Sequence, residues 1–217
     1  MSRLTTLTAA TALVAAVAFA ALVTPAAQAG NATTYDTAFT QFQRALQGQS
    51  SAVDDAAAQW RELSAAEPTD PVLRAYAGAA TAMQATTTWL PWRKMGFAED
   101  GLAMIDKALA QLSPAHDTPA HRSVPASLET RFVAANTFLG LPSMFNRNAR
   151  GAKLLDEVTS SPLLLTAPLE FRAAVWLAAG DAAAKEKRHD DARQWLQKAA
   201  SSGAPQAAAA QAKLKAL

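Results

Sequence analysis

The chain contains no cysteine among its 217 residues. This absence excludes disulfide bonds, thiol nucleophiles and the attachment of a lipid through an N-terminal cysteine. The stability of the fold must therefore come from packed apolar faces and from partners.

A concentration of charge of one sign is also missing. The whole sequence has 20 Lys and Arg against 18 Asp and Glu, and Arg3 is the only charged residue in the first 29. Because proteins that bind nucleic acid normally present a dense basic face, this composition argues against nucleic acid as a partner.

No catalytic motif is present in the sequence. There is no Gly-x-Ser-x-Gly elbow, no glycine-rich phosphate loop and no His-Glu-x-x-His zinc motif. His116 and His121 lie close together in the sequence, and we interpret them as exposed loop residues because a metal site needs a third, rigidly held ligand. We therefore predict no catalytic residue, no metal ligand and no cofactor, in a protein that is not an enzyme.

The first 29 residues have the organisation of a secretory signal peptide. Arg3 supplies the positive charge, an apolar run extends from about Ala9 to Val23, and small residues follow Pro25. An uncleaved membrane anchor is the alternative, but a spanning helix needs about 20 apolar residues and this run is shorter. We predict cleavage after Ala29, a periplasmic or secreted location, and a mature domain of residues 30–217.

Apolar residues recur at a spacing of three to four along the rest of the chain, which predicts helices throughout. Asp70 and Pro71 are typical of the N-cap and first position of a helix, and Thr166 is a candidate cap for another. Residues 113–124 contain two prolines and few apolar groups, which predicts a loop and a possible hinge. The expected helices lie at about 35–46, 53–63, 71–88, 98–112, 128–139, 154–158, 166–183, 190–199 and 205–217.

Five residues near the C-terminus have the spacing of a helical hairpin that stacks on copies of itself. They are Trp176, Gly180, Ala192, Leu196 and Ala199. This spacing resembles the tetratricopeptide repeat, a helix-turn-helix unit of 34 residues. Small residues let the paired helices approach closely, and large ones fill the space between layers. A second, shorter match consists of Ala56, Trp60, Leu63, Pro68 and Gly78.

The resemblance implies an all-α solenoid of about four helical hairpins with a C-terminal capping helix. The concave side of such a solenoid commonly receives an extended or helical peptide. We therefore expect a non-catalytic scaffold or adaptor that binds a protein partner in the bacterial cell envelope, in transport, secretion or envelope assembly. The alternative is a periplasmic carrier that holds a small apolar ligand in the solenoid groove. The sequence leaves the oligomeric state open.

The two central hairpins have longer turns than the repeat requires, and these turns contain the candidate binding residues. They are Trp89, Trp92, Arg93 and Lys94 in the first turn and Phe145, Asn146 and Arg147 in the second. Aromatic and arginine side chains supply much of the energy of protein interfaces, and tryptophan beside basic residues also suits a membrane surface. One hypothesis is that these turns contact a protein partner or the membrane edge. The interpretation that we favour is that both indoles fold back over the helix ends, and Phe145 equally suits the seam between hairpins.

Overall fold

The structure is a computed structural model that describes residues 33–217. All regular elements in this part of the chain are helices, so the predicted all-α class is confirmed there. The predicted signal peptide and its cleavage site lie outside the described residues. The α-helices are α1 Tyr35–Leu46, α2 Ser51–Ala66, α3 Pro71–Met83, α4 Pro91–Ala110, α5 Ala126–Gly140, α6 Asn148–Ser160, α7 Leu163–Thr166, α8 Leu169–Lys185, α9 His189–Ala200 and α10 Ala207–Ala216.

The helices pack mainly as four successive pairs. The pairs are α1 with α2, α3 with α4, α5 with α6, and α8 with α9, while α10 packs against α9. The first and second pairs are joined through α2 and α3, and the second and third through α3 and α5. Within residues 33–217, no helix has both the length and the hydropathy needed to cross a membrane.

The closest approach between paired helices lies where α3 meets α4. A β-carbon added to Gly78 would lie 2.6 Å from the carbonyl oxygen of Gly101, and one added to Gly101 would lie 2.5 Å from that of Gly78. Neither position has room for a side chain. In the last pair, a β-carbon on Gly180 would lie 2.7 Å from Cγ of Leu196. The spacing did not predict this contact within the pair, since Leu196 was expected to fill the space between layers.

Three helices begin at positions that differ clearly from the predictions, and one of them, α6, begins at Asn148 rather than near Leu154. α4 starts at Pro91 rather than near Ala98, because proline fits the first helical position, where no amide hydrogen is needed. The second half of the predicted insertion, residues 91–96, therefore belongs to the start of a long helix, while Trp89 lies just before it. Thr166 does not cap α8, since Pro168 separates it from the start of that helix and its hydroxyl donates instead to the carbonyl of Leu163.

The segment predicted as a loop and hinge folds into two short 3-10 turns, Pro114–Asp117 and His121–Ser123. Arg122 and Ser123 adopt left-handed backbone angles, with φ of 50° and 59°. The Ser127 hydroxyl also donates to the carboxylate of Asp117, at 2.5 Å. The segment is therefore fixed to the start of α5, and it carries His121 and Arg122 back towards α1 and α3.

Candidate functional site

A groove of about 740 Å³ is lined mainly by α1, α3, α5 and α8, the first helices of the four pairs, and by Pro205 and Gln206 just before α10. Its apolar lining includes the side chains of Phe39, Phe42, Met83, Phe132, Phe171 and Leu177. A groove of this size and apolar character is typical of a ligand site. It is also the feature in which all four helix pairs take part.

Polar side chains interrupt the apolar lining at separate points. Gln43 and Asn136 contribute amides, which both donate and accept hydrogen bonds. Arg122 is the only Lys or Arg among the described lining residues, and its guanidinium carbon lies 3.7 Å from the ring centroid of Phe39. Glu170 brings a carboxylate to the wall formed by α8. The groove therefore presents opposite charges on different walls.

A buried carboxylate lies beside the groove at the start of α5. The side chain of Glu129 is fully buried, and its Oε1 accepts hydrogen bonds from the hydroxyls of Tyr35 at 2.6 Å and Tyr76 at 2.9 Å. Nη2 of Arg122 donates to the same oxygen at 3.0 Å. The chain has only two tyrosines, and both bind this carboxylate. We call these four residues the Glu129 cluster.

Aromatic rings enclose the Glu129 cluster. The ring of Tyr76 stacks on that of Trp60 at a centroid distance of 4.4 Å, and the ring of Tyr35 stacks on that of His121 at 4.5 Å. Burial, followed by the negative charge of Glu129, raises the pKa of both tyrosines above the ordinary value. Both therefore remain neutral phenols that donate hydrogen bonds.

His121 joins the outer side of this cluster to the start of α3. Its Nε2 lies 2.7 Å from Oδ2 of Asp70, whose other oxygen accepts from the backbone amides of Val72 and Leu73. The hydrogen bond to Asp70 raises the pKa of His121 despite partial burial. Burial raises the pKa of Asp70, but the bonds from His121 and the two amides outweigh it and hold the pKa below its usual value.

The position of His121 differs from the exposed loop position that we predicted. It is half-buried because its 3-10 turn folds onto α1 and α3. His116 is also half-buried rather than exposed, and its Nδ1 accepts a hydrogen bond from the backbone amide of Ser113, at 3.0 Å. Among the described residues, no group of three or more His, Cys, Asp or Glu side chains is placed to hold a metal ion.

In the first of the two central turns, the predicted binding residues are exposed. The side chains of Trp89 and Trp92 are 82% and 69% exposed, so neither indole folds back over the helix ends. Arg93 and Lys94 are also exposed, and neither has an ion-pair partner within residues 33–217.

The corresponding residues of the second turn are packed more closely. Phe145 is half-buried against the cluster that contains Phe138, so it fills a seam as the alternative interpretation expected. Nη2 of Arg147 lies 3.0 Å from Oδ2 of Asp106 on α4. Asn146 is exposed and has a left-handed φ of 53°. The predicted residues thus form one exposed group and one mostly packed group.

The Glu129 cluster was not predicted from the sequence. Its members come from α1, α3, α5 and the preceding 3-10 turn, so no local spacing connects them. The available signal was weak: Glu129 is a charged residue next to the apolar stripe that begins at Leu128, and the two tyrosines lie on helical stripes.

No family model, curated protein or solved structure matches the chain. Function has to be inferred from the groove and its surroundings.

Proposed function

We propose that this protein is a non-catalytic binding module that holds an apolar segment of a partner polypeptide in the groove between α1, α3, α5 and α8. The observation that carries this proposal is the lining, in which each of the four helix pairs contributes apolar side chains to one continuous groove. Apolar surface that remains accessible in a folded chain is typical of a binding site. With a cleaved signal peptide, the module would act in the cell envelope.

The helix pairs are proposed to form a solenoid similar to the tetratricopeptide repeat. The close approach of Gly78 to Gly101, and that of Gly180 to Leu196, support this arrangement. The lining of the groove by the first helix of each pair also supports it. In such a stack the concave side is continuous, which suits an elongated ligand.

The dimensions of the groove favour a polypeptide as the occupant. Packed helices lie about 8–10 Å apart, so a groove across four of them is about 30 Å long. An extended chain advances about 3.3 Å per residue, so this length accommodates roughly nine residues. A peptide also carries an amide and a carbonyl at nearly every residue, which the side-chain amides of Gln43 and Asn136 can bind. A segment with an acidic residue near Arg122 and a basic residue near Glu170 would match the charges of the groove.

The second candidate function is that of a carrier for a small apolar ligand. The volume of about 740 Å³ favours it, because small-molecule sites usually measure about 300–1,000 Å³. The two functions differ in the length of the occupant and in the use of the amide side chains.

A variant that fills the groove tests the proposal. Ala174 lines the groove on α8, so Ala174→Trp places an indole in the path of a bound segment. The matched control is Ala103→Trp, at an exposed position of α4 outside the groove. The probe is a peptide selected from a random display library against residues 30–217, with affinity measured by fluorescence anisotropy. We expect Ala174→Trp to weaken binding about tenfold or more and Ala103→Trp to leave it unchanged.

Failure to select any peptide, or a peptide whose affinity Ala174→Trp leaves unchanged, would contradict the proposal. Native mass spectrometry of the same protein with a long-chain fatty acid tests the carrier. The carrier is favoured if no peptide is selected and if the fatty acid is retained by the unaltered protein and by Ala103→Trp but not by Ala174→Trp. Thermal unfolding of each variant shows whether the fold is retained.

A further inference from the structure

The four helices that line the groove begin at the same end of the molecule. Tyr35 is the first residue of α1, Tyr76 lies in the second turn of α3 and Glu129 in the first turn of α5, and these three side chains are in contact. Phe132 of α5 contacts Phe171 in the first turn of α8, with ring centroids 5.3 Å apart. The turns between the two helices of each pair therefore lie at the other end. We call this the turn end.

Most of the exposed large apolar side chains lie at the turn end. The described residues include six such side chains, and four of them lie in or next to the turns within the pairs. These four are Leu46, Trp89, Trp92 and Met144. The other two, Leu165 and Leu169, lie at the connection between α6 and α8, which is at the opposite end.

The charges of the two ends are also different. The two central turns together with the first residues of the helices that follow them, residues 84–95 and 141–150, contain four Arg and Lys and no Asp or Glu. The connections at the opposite end, residues 67–70 and 111–125, contain three Asp and Glu and one Arg. Arg147 and Arg150 are bound to Asp106, so the cations of the central turns that remain available are Arg93 and Lys94.

We propose that the turn end docks on the surface of an anionic lipid bilayer, with Trp89 and Trp92 inserted among the lipid headgroups and Arg93 and Lys94 bound to lipid phosphates. Indoles favour this interfacial layer because their rings are apolar and their N–H group still reaches polar partners. Each basic residue near an anionic bilayer adds attraction. Trp89, Trp92, Arg93 and Lys94 do not line the groove, although Leu46 does, so membrane docking through these four residues and ligand binding in the groove can fail independently.

The shape of this surface favours a bilayer over a protein partner. The two indoles lie at the start of a helix, on either side of Pro91, and are exposed rather than set in a groove. Protein interfaces usually bury their aromatic anchors within a larger complementary surface. A bilayer needs no such complementarity, and a short tip with two indoles and two cations is sufficient for weak, reversible contact.

Vesicle sedimentation tests this proposal. Residues 30–217 are used, because residues 33–217 form one compact unit and the apolar N-terminal segment would itself bind lipid. The vesicles consist of phosphatidylcholine with or without phosphatidylglycerol. We expect binding only when phosphatidylglycerol is present, with a loss of affinity as salt is raised. The double variants Trp89→Ala/Trp92→Ala and Arg93→Gln/Lys94→Gln should each weaken binding about tenfold or more.

Matched controls change equally exposed residues elsewhere. Leu165→Ala/Leu169→Ala removes exposed apolar side chains at the opposite end, and Lys107→Gln/Lys153→Gln removes two exposed cations that lie outside the central turns. Both should bind vesicles as the unaltered protein does. Absence of binding to phosphatidylglycerol vesicles, or equal binding by the tip and control variants, would overturn the proposal. Size-exclusion chromatography gives a second check. If the protein forms oligomers that depend on Trp89 and Trp92 and does not bind vesicles, the proposal is overturned and the indoles belong to a protein contact.

Discussion

The aromatic residues around Glu129 and those at the start of α4 differ in how their side chains are accommodated. Trp60 is fully buried and stacks on Tyr76, whereas Trp89 and Trp92 are mostly exposed. A buried indole stabilises the fold by several kcal/mol, and an exposed one contributes little. Aromatic residues within helices thus build the core here, while the pair beside Pro91 remains available for contact with another surface.

The largest expected effect comes from truncating one indole in each region. Trp60→Ala should lower the free energy of unfolding by about 3–5 kcal/mol, because it leaves a cavity between α1, α2 and α3. Trp92→Ala should change it by no more than about 0.5 kcal/mol, as for most exposed positions. Urea denaturation measures both. A similar loss of unfolding free energy for the two variants would show that Trp92 is packed in the core as Trp60 is, and the two regions would then not differ.

Glu129→Ala is expected to have the next largest effect. The hydroxyls of Tyr35 and Tyr76 would lose their shared acceptor inside the protein, and breaking a buried ion pair commonly costs about 3–5 kcal/mol. We expect the free energy of unfolding to fall by about 3 kcal/mol, the lower end of that range, because Arg122 is partly exposed and can still bind water. Glu99→Ala, which removes an exposed acid on α4, is the control and should be nearly neutral. A loss below about 1 kcal/mol for Glu129→Ala would mean that the cluster adds little to stability.

Two glycines of α4 provide a smaller test within a single helix. Gly101→Ala should destabilise by about 1–3 kcal/mol, because the new β-carbon meets the backbone of α3. Gly96→Ala should stabilise by about 0.5–1 kcal/mol, because a β-carbon there has no neighbour within 4 Å and alanine favours the helix. Thermal unfolding compares them. Equal effects of the two substitutions on thermal stability would mean that the space around Gly101, where α4 packs on α3, is no more restricted than that around Gly96.

The smallest expected effect is a change of stability with pH, which comes from His121 beside the Glu129 cluster and not from the exposed tryptophans. The pKa of His121 is raised in the folded protein by the hydrogen bond to Asp70. The stability from this contact is therefore complete below the ordinary histidine pKa of 6.5 and is lost as pH rises through the folded-state value. The pKa of Asp70 is lowered, so its contribution is present above the ordinary value of 3.8 and lost as pH falls through the folded-state value. The contact should stabilise most between these two ordinary values.

Denaturation at a series of pH values measures this contribution. The unaltered protein should lose about 1 kcal/mol or less from this contact as pH rises from about 6 to about 9, since the pair is partly exposed. His121→Gln should remove that part of the pH dependence, while Trp89→Ala/Trp92→Ala should keep it. An identical pH profile for His121→Gln and the unaltered protein would contradict this expectation.

Local pattern was sufficient to predict most of the helices. Asp70 and Pro71 mark the start of α3 as expected. The start of α4 was missed because the apolar stripe is weak over its first turns, where Trp92, Arg93 and Lys94 face solvent. Apolar periodicity detects a helix only where one face is buried.

The candidate sites could be predicted only in part. Trp89, Trp92, Arg93 and Lys94 are consecutive or nearly so, and composition alone identified them as unusual. Glu129 and Tyr76 lie 53 residues apart, and no rule of spacing connects them. The groove could not be predicted for the same reason, because its lining residues come from four helices and from Pro205 and Gln206, which are far apart in the sequence.

The sequence by itself determined most of the helices, because a helix depends on residue type at short separations along the chain. The tertiary structure decided which side chains share a groove, which carboxylate binds both tyrosines and which tryptophans remain exposed. Those outcomes depend on the relative placement of helices far apart in sequence, which is set by the packing of many side chains at once.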